Sequence, residues 1–194
     1  MVRSQLRKRK NGPMIVYRSL RERMLALEMD LMLWFGHAFL AAATAPVSHT
    51  YVKHLGTYNG EAPFKDSNTL SLASDEAVNY YLSKRWDVRY CVYDGERAMG
   101  TSRFKSNLNR KGIQCIPLAK GAKAQRVERK IGTLKARGRT TKASCPYSLP
   151  HSFVPPLVEH TRIMINNDCA QGNEDAAPPE YTLNGNEIID YNAI

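Results

Sequence analysis

The chain has 194 residues, 43% of them hydrophobic and 24% charged, with twelve Gly and ten Pro. This ordinary globular composition excludes collagen-like and low-complexity chains, and it suits one core of roughly 100–150 residues with appendages better than several full-size domains. A formal charge of +10 favours phosphate-rich or anionic-membrane partners.

The charge is unevenly placed. Residues 1–23 hold eight Lys/Arg and one Glu, residues 119–143 hold nine and one Glu, and residues 167–194 hold six acids and no Lys or Arg. The pattern predicts a basic arm (1–23), a polyanion-binding core (24–166) and an acidic, partly disordered end (167–194). The arm carries Arg7, Lys8, Arg9 and Lys10 ahead of the breaker Asn11-Gly12-Pro13. That run reads as a solvated terminus and equally as a nuclear-import signal or a strap on phosphates.

In chain order, MLALEMDLMLW (24–34) reads as a buried strand, Gly36-His37 as a turn, FLAAATA (39–45) as a second strand and SHTYVKHL (48–55) as a third. From Leu31 to Val52 there is no charged residue, but Gly36-His37 and Pro46 interrupt the run, which is too short for a membrane span. No membrane partner is expected. Residues 56–73 read as a loop, and SDEAVNYYLSKRW (74–86) as a helix capped by Ser74. VRYCVYDG (88–95) is a strand ending in an Asp-Gly turn, RFKSNLNRKG (103–112) a short helix, and IQCIPL (113–118) a strand. Residues 122–143 form a strongly basic helix, and 152–166 a last helix with Pro155 and Pro156 in its first turn. A three-strand meander followed by alternating helices and strands predicts an α/β fold. Its mixed five-stranded sheet has three antiparallel strands, then two parallel, with helices on both faces. Cys91, Cys115, Cys145 and Cys169 are widely spaced and form no CxxC pair, so they read as free thiols of an intracellular chain rather than zinc ligands.

Three acids stand where solvated acids are least expected. Asp30 interrupts an apolar strand, Asp94 ends another, and Glu128 is the single acid among nine bases. Taken singly, each has a plain alternative. Asp30 shares an exposed strand face with Glu28, Asp94 precedes a Gly as turn residues do, and Glu128 can pair with Arg126 or Arg129. Taken together, three carboxylates from distant sequence converging at strand ends, Glu128 on a helix that can pack across that edge, describe a divalent-cation site, because Mg²⁺ is held by a few carboxylates while keeping positions for water and phosphate oxygens. On the basic helix, Val127, Ile131 and Leu134 make an apolar stripe. Glu128, Lys135 and Arg139 line up about a quarter-turn away, while Arg126, Lys130 and Arg137 are expected on a solvated far face.

VYDGERAM (92–99) and AQRVERKIGTLKARGRT (124–140), with PYSLP (146–150), LVEHTRIMIN (157–166), LEMDLM (27–32) and APPEYTLNG (177–185), resemble the integrase region of copia-type retrotransposon Pol polyproteins. That region belongs with retroviral integrases and D-D-E transposases. The resemblance spans residues 24–185 and implies an RNase H-like fold. It also implies Mg²⁺ or Mn²⁺ dependence, through two ions, with 3′-end processing and strand transfer of element DNA into target DNA. Asp30, Asp94 and Glu128 match the metal-binding catalytic triad, and Lys135 the zone where the Glu-bearing helix meets DNA ends. Lys123, Arg139 and the Arg7–Lys10 run are further candidate DNA contacts. Thirty-three residues separate Asp94 from Glu128, against the family's mid-thirties, and Gly132 and Gly138 weaken the helix that carries Glu128. The expected partners are element and target DNA and further copies of the chain, with no small-molecule cofactor. The expected location is the nucleus, with cytoplasmic residence before import. Two other readings compete: a nucleic-acid-binding remnant of a retroelement polyprotein without catalysis, and an RNase H-type nuclease on the same fold.

Overall fold

The computed structural model describes residues 23–58, 66–93, 101–118, 124–168 and 177–185. Strands β1 (Met24–Trp34), β2 (His37–Ala45) and β3 (Thr50–Thr57) come first, then helix α1 (Ser67–Ser83), β4 (Asp87–Tyr93), α2 (Ser102–Arg110) and β5 (Gln114–Pro117). Helix α3 (Gln125–Ser144), a 3-10 turn (His151–Phe153), α4 (Val154–Asn167) and the short α5 (Pro179–Leu183) complete the order. The sheet runs β3-β2-β1-β4-β5: β1 pairs antiparallel with β2 and parallel with β4, and β4 pairs parallel with β5. The mixed sheet expected from the element order is therefore the one observed.

Strand alternation sorts the core into two layers. From β1, Leu25, Leu27 and Met29 join Leu70, Ala77, Val78 and Tyr81 of α1 and Phe104 and Leu108 of α2. Met32 and Trp34 point the other way and join Leu134 of α3 and Val154, Leu157, Val158 and Ile165 of α4. Strand β2 has helices over both faces, which is why eight of its nine residues are buried and its sequence shows no alternation. Among the described residues, no helix is long and apolar enough to cross a membrane.

Two local expectations are corrected. The β1–β2 turn is Phe35-Gly36 rather than Gly36-His37: both have positive φ (44° and 70°), as a two-residue hairpin turn requires, and His37 already pairs with Trp34. Helix α1 starts at Ser67, inside the expected loop. Its cap is Asp66, whose Oδ2 accepts from the backbone N–H groups of Asn68 (3.1 Å) and Thr69 (3.3 Å), while Ser74 is buried mid-helix. The first turn is polar in sequence, but Leu70 and Ala73 extend the buried stripe of Ala77 and Tyr81, and burial outweighs propensity.

The acidic end contributes one described element. Residues 179–183 form α5, which is docked against the core. Glu180 Oε2 lies 2.9 Å from His49 Nε2, His49 Nδ1 lies 3.0 Å from the Tyr81 hydroxyl, and Trp86 Nε1 donates to the Leu183 carbonyl at 2.7 Å. An ionised carboxylate only accepts, so Nε2–H donates to Glu180 and the Tyr81 hydroxyl donates to Nδ1, while the Asn166 amide nitrogen, 3.0 Å from the same Nε2, donates to the Thr50 carbonyl. Burial pushes the His49 imidazole below its ordinary value, against the upward pull of Glu180. Burial works to raise the Glu180 carboxyl, but the His49 hydrogen bond, the Asn184 amide and Arg162 together bring it down to about 2.

Both shifts carry the same sign. Unfolded His49 takes up a proton that the folded imidazole resists, so stability falls as pH drops below the ordinary His value. The Glu180 contribution is full above the ordinary Glu value and drains away as pH falls toward about 2. The urea midpoint is therefore expected to decline steadily from about pH 7 to about pH 3. Glu180→Gln should flatten the lower part of that curve, and an unchanged slope there would remove Glu180 from the account.

Candidate active site

Helix α3 lies across β1 and β2 because of small residues beneath it. Ala41 and Ala43 of β2 pack with Ala124 and Val127 at the start of the helix, and further along Gly138 rests on the Trp34 ring. The expected stripe holds, with Val127, Leu134 and Gly138 buried and Ile131 half-buried. Ala41 and Ala43 are the register partners of Asp30 and Glu28. Directly opposed residues share a face of the sheet, so the first turn of α3 stands over the strand positions flanking Asp30.

That turn is anchored from below. Ala124 at the N-cap has no side chain to accept a hydrogen bond. Instead Glu28 Oε2 accepts from the backbone N–H of Arg126 (2.8 Å) and of Val127 (3.3 Å), and Arg126 Nη1 reaches Oε1 at 3.3 Å. A carboxylate at a helix N-terminus satisfies orphan donors and the helix dipole together, and caps of this kind stabilise by roughly 0.5–2 kcal/mol. Glu28 does share a face with Asp30, but that face is covered. The sequence reading named Glu28 as a face-mate of Asp30 and gave it no part in holding the helix. The available signal was a basic helix lacking a capping residue of its own and an acid two positions from Asp30.

Asp30 is half-buried at mid-strand, with Oδ1 accepting from the Leu31 N–H at 2.7 Å. Glu128 is half-buried in the first turn of α3, and its own N–H bonds the Ala124 carbonyl at 3.0 Å. Strand β4 ends at Tyr93, opposite Met29 of β1. Asp94, the next residue, lies outside the described residues, as do Lys123 and the Arg7, Lys8, Arg9 and Lys10 run. Among the described residues, no three His, Cys, Asp or Glu side chains gather as a metal-holding group.

The cations of α3 divide differently from expectation. Lys135 is half-buried and Arg139 exposed, with Arg139 Nε donating to the Lys135 carbonyl at 3.1 Å. Of Arg126, Lys130 and Arg137, the two arginines remain partly exposed but are paired, and Lys130 is half-buried. Arg126 pairs with Glu28, Arg137 pairs with Asp168, and Lys130 is sufficiently desolvated that its ammonium falls below the ordinary value, helped by Arg137 and Arg126. The helix is held on two sides, by the sheet and by α4, so more of its circumference is covered than one apolar stripe suggests.

The sequence matches no family model and no curated protein. Solved structures do match. The catalytic core domain of BIV integrase covers 82% of this chain and 91% of its own, with a TM-score of 0.58 and 15% identity. The HTLV-2 integrase catalytic core in complex with magnesium, in a trimeric form, gives 81%, 94%, 0.60 and 12%. A simian T-cell lymphotropic virus intasome in complex with the PP2A regulatory subunit B56 gamma gives 81%, 53%, 0.65 and 12%. The chain has the RNase H-like fold of retroviral integrase catalytic cores. At these identities the likeness is one of fold.

Proposed function

We propose that this chain is the catalytic core of a copia-type retroelement integrase, a polynucleotidyl transferase acting on DNA through Asp30, Asp94 and Glu128. The observation that carries the reading is the seating of the first turn of α3, with Glu128, over the strand positions around Asp30, on an integrase-core fold. Asp94 directly follows the β4 residue opposite Met29, one position from Asp30 in register.

Asp30 and Glu128 offer carboxylate oxygens, the donors that Mg²⁺ and Mn²⁺ take, and Asp94 would supply a third. The residues present therefore fit the ions, two in number, that we propose as cofactors. Bound there, such ions would lower the barrier by stabilising charge on the attacking and leaving oxygens of a phosphodiester. The chain's own part is positional. Glu28 and the Ala41/Ala43 surface hold Glu128 beside β1, and Lys135 and Arg139 contact DNA phosphates along α3. In strand transfer a 3′-hydroxyl oxygen forms a new P–O bond as the target P–O3′ bond breaks. The hydroxyl proton leaves to solvent, and the departing 3′ oxygen is protonated. In end processing, water takes the place of the hydroxyl. Lys123 and Arg7–Lys10 add phosphate contacts, the latter also serving nuclear import, and several copies of the chain act together on two DNA ends.

The test is Mn²⁺-dependent nicking or rejoining of a branched DNA that mimics the integration product, with DNA binding measured over a salt series. Binding should weaken steeply with salt, by a log–log slope of about −0.9 per phosphate contacted. Cleavage or joining supports the transferase. Cleavage confined to RNA–DNA hybrids would favour an RNase H-type nuclease, and salt-sensitive binding with no reaction would favour a non-catalytic binding remnant.

A further inference from the structure

We infer that Glu28 is a positioning residue of this site: its carboxylate, rather than any group on α3, sets where Glu128 stands relative to Asp30. The inference rests on the reading above. The first N–H groups of a helix have no partner within it, and the start of α3 has an alanine where a capping side chain would be. Two of those N–H groups, Arg126 and Val127, are taken by one oxygen of Glu28, and the other oxygen takes the Arg126 guanidinium. Both oxygens are turned to the start of α3, and the role assigned to Glu28 is that of a clamp on that turn.

The clamp is rigid at its base. Glu28 is paired on both sides within the sheet, with Ala43 of β2 and Val92 of β4. Asp30 lies one pleat away on the same face. On the helix side, the Glu128 N–H makes the opening intrahelical bond, to the Ala124 carbonyl. If the first turn frays, that bond goes early, and the Glu128 backbone moves with it. The strand that bears one carboxylate therefore also holds the helical turn that bears another.

The measurement is Mn²⁺ binding by electron paramagnetic resonance on the full chain, with the backbone amide resonances of Arg126 and Val127 followed in parallel. Parent, Glu28→Ala, Glu28→Gln and Glu28→Asp are compared. Glu28→Ala is expected to weaken Mn²⁺ binding about tenfold or more, the size of effect typical of residues that orient metal ligands, and to shift both amides. Glu28→Gln keeps an acceptor oxygen at the same reach and should bind within about threefold of the parent, whereas Glu28→Asp, one methylene short, should behave like Glu28→Ala. If Glu28→Ala does not fold, the contrast between Gln and Asp decides. Glu28→Ala binding Mn²⁺ as the parent does, while its amides move, would overturn the inference alone. Glu28→Gln losing binding with the amides unmoved would make Glu28 a ligand and also overturn it. A parent chain that binds no Mn²⁺ would overturn the functional reading and this inference together.

Discussion

Asp94→Asn is expected to bind branched DNA with the affinity and salt dependence of the parent and to leave it uncut, a loss on the order of 10³-fold or more in rate. The substitution is isosteric and removes one negative charge, so the urea midpoint should move little. Asp30→Asn should lose activity to a similar extent, and the double variant should lose no more than either single one, because carboxylates sharing an ion act as a unit. The assay is metal-dependent nicking and rejoining, run beside a binding titration for each variant. Retained activity in Asp94→Asn would remove that residue from the chemistry. A parent as inactive as its variants, with binding intact, would leave a DNA-binding chain on this fold without a reaction.

The second large effect concerns packing. A Cβ added at Gly138 would lie 2.2 Å from Cη2 of Trp34, with two further ring atoms at 3.0 Å. Trp34 is itself buried among Leu134, Val154, Leu157 and Val158, so the ring has little room to retreat. Gly138→Ala is therefore expected to cost about 1–3 kcal/mol, from which the gain in helix propensity of up to ~1 kcal/mol recovers only part. For a chain of this size a loss of that order lowers Tm by roughly 2–12 °C. Gly132 is the control. It is exposed on the same helix with nothing within 4 Å of a Cβ, so Gly132→Ala should stabilise by up to ~1 kcal/mol. Opposite signs from the same substitution six residues apart, read by thermal melting, would separate propensity from packing. A neutral Gly138→Ala would mean that α3 does not sit as closely on Trp34 as described.

These two glycines show where sequence reading stops. Both read as defects in a basic helix, since propensity is all that the local sequence reports. One is such a defect, and the other is the contact that lets α3 approach β1. Lys130 teaches the same lesson. Charge and a simple helical wheel place it in solvent, but the helix is covered on two sides and its ammonium is half-buried.

Much of the fold was legible in the sequence. The apolar run 24–34, the breakers after it and the switch to helical period in the second half carry enough local information to specify a mixed five-stranded sheet with flanking helices. Asp30 in β1 and the lone acid of the basic helix were visible as chemical anomalies, because a carboxylate inside an apolar strand needs a reason to be there. What remained for the tertiary structure involved contacts between residues about a hundred positions apart. Glu28 caps a helix 98 residues onward, and Glu180 is clasped by His49 across 131. Such pairings leave no periodic trace along the chain. They arise only when the sheet brings two faces together and buried donors must find acceptors, which is why the carboxylates could be picked out in the sequence while the clamp that holds one of them in place could not.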